Sequence, residues 1–305
     1  MARALDHLVI GVPDLASTGA RLAALGFTVG GVNRHPWGTE NRIIQFADET
    51  FLELITVAQH GAIPPHKPRH FSFGAFVRDA LKRAPGLSML VLKSADAKLD
   101  AADFASLNIG DFEPFHFARQ GRRPDGGDVD VAFTLAFAAD PSMPESGFFT
   151  CQQHFPQNFW AKPAQTHANG ALGVARVTLV ADNPSDHHIF LSAFVGERAM
   201  RSTSFGIEIE AGANHFGHAG TIEIISPEGF AFRYGEPAPK VSTPRFAGIE
   251  ITVETLAPLE ALTKKAHIRL LAHAGGRTLP READPTEAGE LGTTLRFVPK
   301  GEATR

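Results

Sequence analysis

The sequence predicts an α+β fold of four βαβββ modules, which pair into two domains with cupped, mixed β-sheets. Two observations carry this prediction. The first 60 residues read as a strand, a helix and then three strands, and three consecutive strands in a meander cannot form the parallel sheet of a nucleotide-binding fold. The same order of elements then recurs three times along the chain.

The composition limits the classes of function. The chain has 305 residues, of which 43% are hydrophobic and 20% charged, enough for two domains with a substantial core. A net charge of -4 without a long basic run argues against binding to nucleic acid or to a membrane surface. We expect no signal peptide and no membrane span, because no long apolar run is present. A single cysteine excludes an internal disulfide and favours a cytoplasmic location.

The first module begins with an alternating strand at residues 5–12. Pro13 and Asp14 supply a helix start, with Asp14 as the N-cap, and Gly26 ends the helical run of apolar residues. Residues 27–30, 42–47 and 50–57 read as the three following strands, with the loop RHPWGTEN at residues 34–41 before the third.

A histidine and a glutamate interrupt the apolar pattern of this module. His7 lies in the first strand and Glu53 in the fourth. Because side chains alternate across a strand, both face the concave side if Leu8 and Leu52 pack under helices. A buried imidazole and carboxylate must pair with each other or hold something between them, such as a divalent metal. A simple hydrogen-bonded His/Glu pair in a core is the alternative.

The later modules repeat this plan with changes. The second opens at residues 87–92 and continues with strands near 110–119, 128–138 and 147–154. The third opens at 171, starts its helix at 182–184 and has strands to about 234, and the fourth ends in the strand LGTTLRFVP. We place the first domain at 1–160, with modules 1–60 and 85–160, and the second at 171–300, with modules 171–236 and 244–300. The basic and aromatic insertion at 60–84 reads as a crossover connection, although it could fold over the first cavity.

The paired modules, with LDHLVI opening and FLELI closing the first, resemble the vicinal oxygen chelate superfamily. Within it, the chain is most similar to the glyoxalase-like branch, in which RHPWGTEN follows the first helix and a PDG turn and HANGA follow later. These motifs stand here at 34–41, 124–126 and 167–171. The resemblance spans nearly the whole chain and is strongest over 3–57 and 120–185.

The resemblance implies a divalent metal in the cup of a domain, held by the first and fourth strands of two modules and chelating two substrate oxygens. His7 and Glu53 match the ligand positions of the first module. In the second module Met89 stands where a histidine is expected, and a thioether is a poor ligand for such a metal. Gln152 or His154 could supply a third ligand. The metal would be zinc, nickel, manganese or iron.

The second domain offers no comparable ligand set. Val177 and Gly248 occupy the positions matched to His7 in the third and fourth modules. This departs from the two-domain extradiol dioxygenases, whose iron site lies in the C-terminal domain. We expect a structural role for this half, as a homodimer surface or a wall of the first cavity.

The RHPWGTEN loop supplies the predicted substrate contacts, His35, Trp37, Thr39 and Asn41. We take Glu53 and His35 as the candidate catalytic residues. The arginines of the hairpin ARQGRRPDGGD could bind a carboxylate, and Arg123 is the candidate here, against the alternative of a solvated hairpin tip.

The first functional hypothesis is a metal-dependent enzyme of isomerase, lyase or dioxygenase type acting on a small oxygenated substrate. The second is a non-catalytic protein that binds or sequesters a small molecule in the same cup, like the bleomycin-resistance proteins of this fold. Met89 favours the second hypothesis.

Overall fold

The computed structural model describes residues 2–59, 62–122, 127–240, 242–281 and 289–301. Its strands belong to two eight-stranded sheets. The first sheet contains β1 Leu5–Gly11, β2 Asn33–Arg34, β3 Thr39–Gln45, β4 Phe51–Val57, β5 Gly86–Lys93, β6 Phe115–Arg122, β7 Asp128–Ala138 and β8 Gly147–Gln153. The second contains β9 Ala171–Val180, β10 Arg201–Thr203, β11 Gly206–Glu210, β12 Thr221–Ile225, β13 Arg245–Val253, β14 Leu271–His273, β15 Gly276–Leu279 and β16 Thr294–Pro299.

Each sheet joins two modules through their first strands. The order of the first sheet is β2-β3-β4-β1-β5-β8-β7-β6, and the second repeats it as β10-β11-β12-β9-β13-β16-β15-β14. Within each module the first and fourth strands are parallel, while the two first strands meet antiparallel. The predicted fold class, α+β with four βαβββ modules in two cupped domains, is confirmed.

Helices pack on both faces of the sheets. They are α1 Leu15–Ala24, α2 Phe73–Arg83, α3 Ala97–Ser106, α4 Pro156–Phe159, α5 His188–Val195, α6 Pro227–Tyr234 and α7 Ala257–Ala266. Of these, α1, α3, α5 and α7 lie on the convex face, and α2, α4 and α6 lie at the concave face. Asp14 caps α1 as predicted, since its side chain accepts a hydrogen bond from the backbone N–H of Ser17. None of these helices is long and apolar enough to cross a membrane.

The largest apolar cluster of the described residues spans the convex faces of both sheets. Leu8 and Leu52 of the first sheet belong to it together with Val177 and Ile249 of the second. The ring of Phe148 contacts Phe190, Phe194 and Phe246, so the two domains share one continuous packing layer. The concave face of each sheet forms a separate environment, with its own apolar cluster.

Two predicted strand assignments are wrong. Residues 27–30 are not a strand. Phe27 is apolar because its ring packs against Phe46 and His167 in the core. The last strand of the third module ends at Ile225, and the residues up to Tyr234 form α6. Ser226 caps this helix and Pro227 occupies its first turn, so the start signal was present in the sequence.

Candidate functional site

The concave face of the first sheet surrounds a narrow, partly open cavity, with about 520 Å³ between its lining residues when the open solvent at its mouth is included. Its wall is mainly aromatic. Five of the predicted site residues line it: His7, His35, Trp37, Asn41 and Glu53. The remaining lining residues are Ile43, Phe51, Phe73, Phe117, Arg119, Phe133, Leu135, Phe149, Cys151 and Phe159.

His7 is held by a carboxylate and by an aromatic ring. Its Nδ1 lies 2.5 Å from Oδ1 of Asp6, and its ring stacks on Phe51 with the ring centroids 4.1 Å apart. Asp6 reaches the imidazole because the pairing of β1 with β5 shifts register between Leu5 and His7, which is a β-bulge at Asp6. With Nδ1 engaged by the carboxylate, Nε2 of His7 points toward Glu53.

Glu53 is buried beside His7 and is held by its neighbour on β3. Its Oε2 lies 3.7 Å from Nε2 of His7, and its Oε1 accepts a hydrogen bond of 2.5 Å from Nδ2 of Asn41. The amide of Asn41 is oriented in turn by Asn33, whose Nδ2 donates to Oδ1 of Asn41. The structure therefore brings the predicted pair together in one cavity.

His35 is held by the same network. Its Nδ1 lies 2.8 Å from Oγ1 of Thr39, and its Nε2 lies 3.4 Å from Nδ2 of Asn41. Since Nδ2 of Asn41 can only donate, Nε2 of His35 is the acceptor and Nδ1 carries the proton. Burial lowers the pKa of His35, and the charge of Arg119 lowers it further against the opposing effect of Glu53. His35 is thus a neutral imidazole near pH 7. Thr39 is buried, and its backbone carbonyl also accepts a hydrogen bond from the backbone N–H of His35.

The cavity is closed by aromatic contacts between the two edges of the sheet. Trp37, which follows β2, stacks on His35 and packs edge-on against Phe115 and Phe117 of β6. Phe73, the first residue of α2, also lines the cavity. The insertion is therefore more than the crossover connection expected from the sequence, because it supplies part of the wall.

Arg119 is the cationic side chain of this cavity. It follows Phe117 by two residues on β6, so both face inward. Burial lowers the pKa of its guanidinium, and the negative charge of Glu53 opposes that shift. The arginine predicted for substrate binding, Arg123, lies outside the described residues, as does the PDG turn that follows it.

Gln152 and His154 do not reach His7 and Glu53. The amide of Gln152 bonds to the backbone of Ala95 and Ala97, at the start of α3 on the opposite face. His154 is exposed, and its Nε2 lies 2.8 Å from Oγ1 of Thr134. The expectation that either completes a metal site with His7 and Glu53 does not fit this geometry, since the residues of β8 that line the cavity are Phe149 and Cys151, and the next inward residue, Gln153, donates to Asp6.

The matched positions of the second module are apolar. His7 pairs with Val91 and Val9 with Met89, so the local two-fold axis relates His7 to Met89. The same axis relates Val9 to Val91. Val9 lies beside Glu53 of β4, and Val91 lies beside Phe149 of β8, so Phe149 occupies in the second module the position that Glu53 has in the first.

The cavity therefore has fewer candidate ligands than a metal centre needs. No group of three or more His, Cys, Asp or Glu side chains in the described part of the chain is placed to hold a metal ion. Cys151 does not complete one, because burial and the charges of Asp6 and Glu53 raise the pKa of its thiol well above the usual value. A catalytic zinc ordinarily has three protein ligands, so His7 and Glu53 alone do not fit a permanently bound ion.

The concave face of the second sheet is filled by protein. Phe230 and Tyr234 of α6 are fully buried against it. Beside them the guanidinium of Arg176 donates to Glu208 at 2.9 Å and to Glu223 at 2.8 Å.

Comparison with protein families gives one match. The model of a glyoxalase-like domain matches residues 5–195, which include the whole first sheet and the start of the second. No curated protein matches the chain in sequence.

Solved structures share the fold at low identity. A hypothetical protein from Staphylococcus aureus has a TM-score of 0.61 at 12% identity, and the match covers 97% of this chain and 98% of that one. A mutant of 4-hydroxymandelate synthase from Streptomyces coelicolor has a TM-score of 0.54 at 12% identity, covering 100% and 95%. The Mn(II)-bound glyoxalase from Novosphingobium aromaticivorans has a TM-score of 0.50 at 12% identity, covering 97% and 82%. These likenesses concern the fold alone.

Proposed function

Since the chain belongs to the glyoxalase-like family of the vicinal oxygen chelate superfamily, we propose that it is an enzyme that moves protons on a small oxygenated substrate held in the cup of its first domain. The observation that carries this proposal is the approach of His7 Nε2 to Glu53 Oε2, 3.7 Å apart, inside an otherwise aromatic cavity.

His7 is the base in this proposal. The carboxylate of Asp6 accepts a hydrogen bond from Nδ1–H of the imidazole. The lone pair of Nε2 is then directed into the cavity. A histidine oriented by a buried carboxylate in this way is suited to proton abstraction. Asp6 acts as a positioning residue because it touches the imidazole and not the cavity.

Glu53 is the partner that shuttles the proton. A C–H bond next to a carbonyl is broken by transfer of its proton to His7, and the electron pair of that bond forms an enolate. Glu53 shares the proton with His7 and returns it at the neighbouring carbon or oxygen, while Asn41 holds the carboxylate in place. This sequence serves isomerisation, and with loss of a leaving group it serves a lyase reaction.

Metal dependence is the finer form of this proposal that the family resemblance implies. His7 and Glu53 would be the protein ligands, but the matched positions of the second module are Met89 and Phe149. We therefore derive no step through a metal. Elemental analysis separates the metal-dependent from the metal-independent proposal. A stoichiometric zinc, nickel, manganese or iron ion that is lost in the Glu53→Gln variant would support the metal-dependent one.

The proposal is tested by hydrogen exchange, which requires no knowledge of the natural substrate. Small ketones and 2-oxo acids with aliphatic and aromatic side chains are incubated with the protein in D₂O, and the signal of the proton next to the carbonyl is followed by NMR. We expect protein-dependent exchange with at least one compound and its loss in His7→Ala and Glu53→Gln. Exchange that survives in both variants would refute the proposal.

A non-catalytic small-molecule-binding protein is the second candidate. The observation that favours it is the apolar character of Met89 and Phe149 where the resemblance expects ligands. It predicts that an aromatic ligand binds equally well to wild type, His7→Ala and Glu53→Gln, with no exchange in any of them.

A further inference from the structure

Arg119 differs from Arg176 and Arg296, the arginines that are buried among the described residues. It lies on the inward face of β6, whereas the side chains next to it in sequence point outward, as shown by the contact of Gln120 with Asp130 on the neighbouring strand. The guanidinium of Arg119 is half-buried in the aromatic wall. Within the described residues it has no hydrogen bond and no carboxylate within 4.0 Å.

Paired arginines elsewhere show what Arg119 lacks. Arg176 contacts the carboxylates of Glu208 and Glu223, and Arg296 donates to Glu250 at 2.6 Å. In the first cup the corresponding carboxylate, Glu53, is engaged by Asn41 and His7. Partial removal of a guanidinium from water without a contacting anion is costly, so an arginine in this position favours an anionic ligand.

The surroundings of Arg119 define the shape of that ligand. Edge-on and stacked rings surround the free space, among them Phe117 and Phe133, which stack with centroids 5.1 Å apart, and Phe149 and Phe159. Such walls favour a flat, apolar body. A guanidinium fork binds the two oxygens of a carboxylate side by side, and a single unpaired cation matches a single negative charge.

We propose that the first cup takes a small aromatic carboxylate, with its carboxylate on Arg119 and its ring between the phenylalanines. This inference deepens the proposed function and rests on it, because the carboxylate end on Arg119 leaves the carbonyl end of a substrate facing His7 and Glu53. The substrate of the proton transfer is then an aryl-bearing carboxylic acid and not a neutral ketone.

The experiment uses two probes of nearly equal shape. Benzoate carries the charge, and benzamide replaces it by a neutral amide. Binding of each to the full-length protein is measured by isothermal titration calorimetry in wild type, in Arg119→Gln and in Arg119→Lys. Arg69→Gln is the matched control, because Arg69 is an exposed arginine of the same domain that pairs with Asp111 at the surface.

Wild type should bind benzoate about tenfold or more tightly than benzamide, as expected for a hydrogen bond to a charged group. Arg119→Gln should lose that preference while its affinity for benzamide stays unchanged. Arg119→Lys, which keeps the charge without the fork, should fall between them, and Arg69→Gln should behave as wild type. Equal affinities in wild type, no binding of benzoate, or an equal loss for both probes in Arg119→Gln would overturn the inference.

This outcome is independent of turnover. A benzoate preference that depends on Arg119, together with no hydrogen exchange, would overturn the proposed proton transfer and leave the anion site. Hydrogen exchange that depends on His7 and Glu53, with no preference for benzoate, would overturn the anion site and leave the proposed proton transfer.

Discussion

Replacement of Glu53 by Gln tests whether the polar pair in the first cup is functional or only structural. The substitution preserves size, so the amide oxygen still accepts the 2.5 Å hydrogen bond from Asn41. A neutral acceptor weakens that bond by about 1 kcal/mol. The substitution also removes the cost of burying a carboxylate, which offsets this loss. We therefore expect the free energy of unfolding of Glu53→Gln to lie within about 1 kcal/mol of wild type.

The rate of hydrogen exchange should respond much more strongly. Loss of one acid–base group lowers a rate by about a hundredfold or more, which corresponds to about 2.7 kcal/mol in the activation barrier. The two quantities are measured on the same preparations, by urea denaturation and by NMR in D₂O. Glu113→Gln, at an exposed carboxylate that pairs with His70, controls for the substitution itself. A loss of more than about 3 kcal/mol of stability with an unchanged exchange rate would show that the pair is structural.

Three further predictions concern the groups around this site and the second domain. Asp6→Asn should lower the exchange rate about 10- to 100-fold with benzoate affinity unchanged, because the imidazole of His7 loses its charged partner; an unaltered rate would contradict the role of Asp6. Arg176→Met should destabilise the fold by about 3 to 5 kcal/mol in urea denaturation, since it leaves buried carboxylates unpaired, and a loss below about 1 kcal/mol would contradict it. Burial lowers the pKa of His167 below its usual value of 6.5, so the unfolded chain binds its proton first and stability falls as pH drops through about 6.5; His167→Asn should flatten this dependence, and an equally steep profile in the variant would argue against it.

The fold could be predicted because it depends on local patterns. Alternation in β1 and β4 placed His7 and Glu53 on the concave face, and the capping side chain of Asp14 marked the start of α1. These signals lie within a few residues of each other. They need no knowledge of what packs across the cup.

The site was predicted less completely because it depends on register and on distant contacts. A shift of one residue in the pairing register of a strand moves its side chains to the opposite face of the sheet. The register of β8 therefore decides whether Gln152 or Cys151 faces the cavity. The bulge that turns Asp6 toward His7 leaves no sequence signal, because strict alternation puts neighbouring residues of a strand on opposite faces. Arg119 was grouped with the arginines of a hairpin tip, and only the pairing of β6 with β7 places it inside.

The two cups show why the fold alone does not assign the function. Both sheets have the same strand order, yet the second is filled by Tyr234 and by paired charges such as Arg176 with Glu223. Arg176 donates to Glu208 and Glu223, and the hydroxyl of Tyr234 bonds to Thr178, so these groups already have partners within the protein. In the first cup the guanidinium of Arg119 and the Nε2 face of His7 lack such close partners, and aromatic rings surround free space instead. The function therefore lies in inward-facing groups that the protein leaves incompletely paired, and these differ between modules with the same topology.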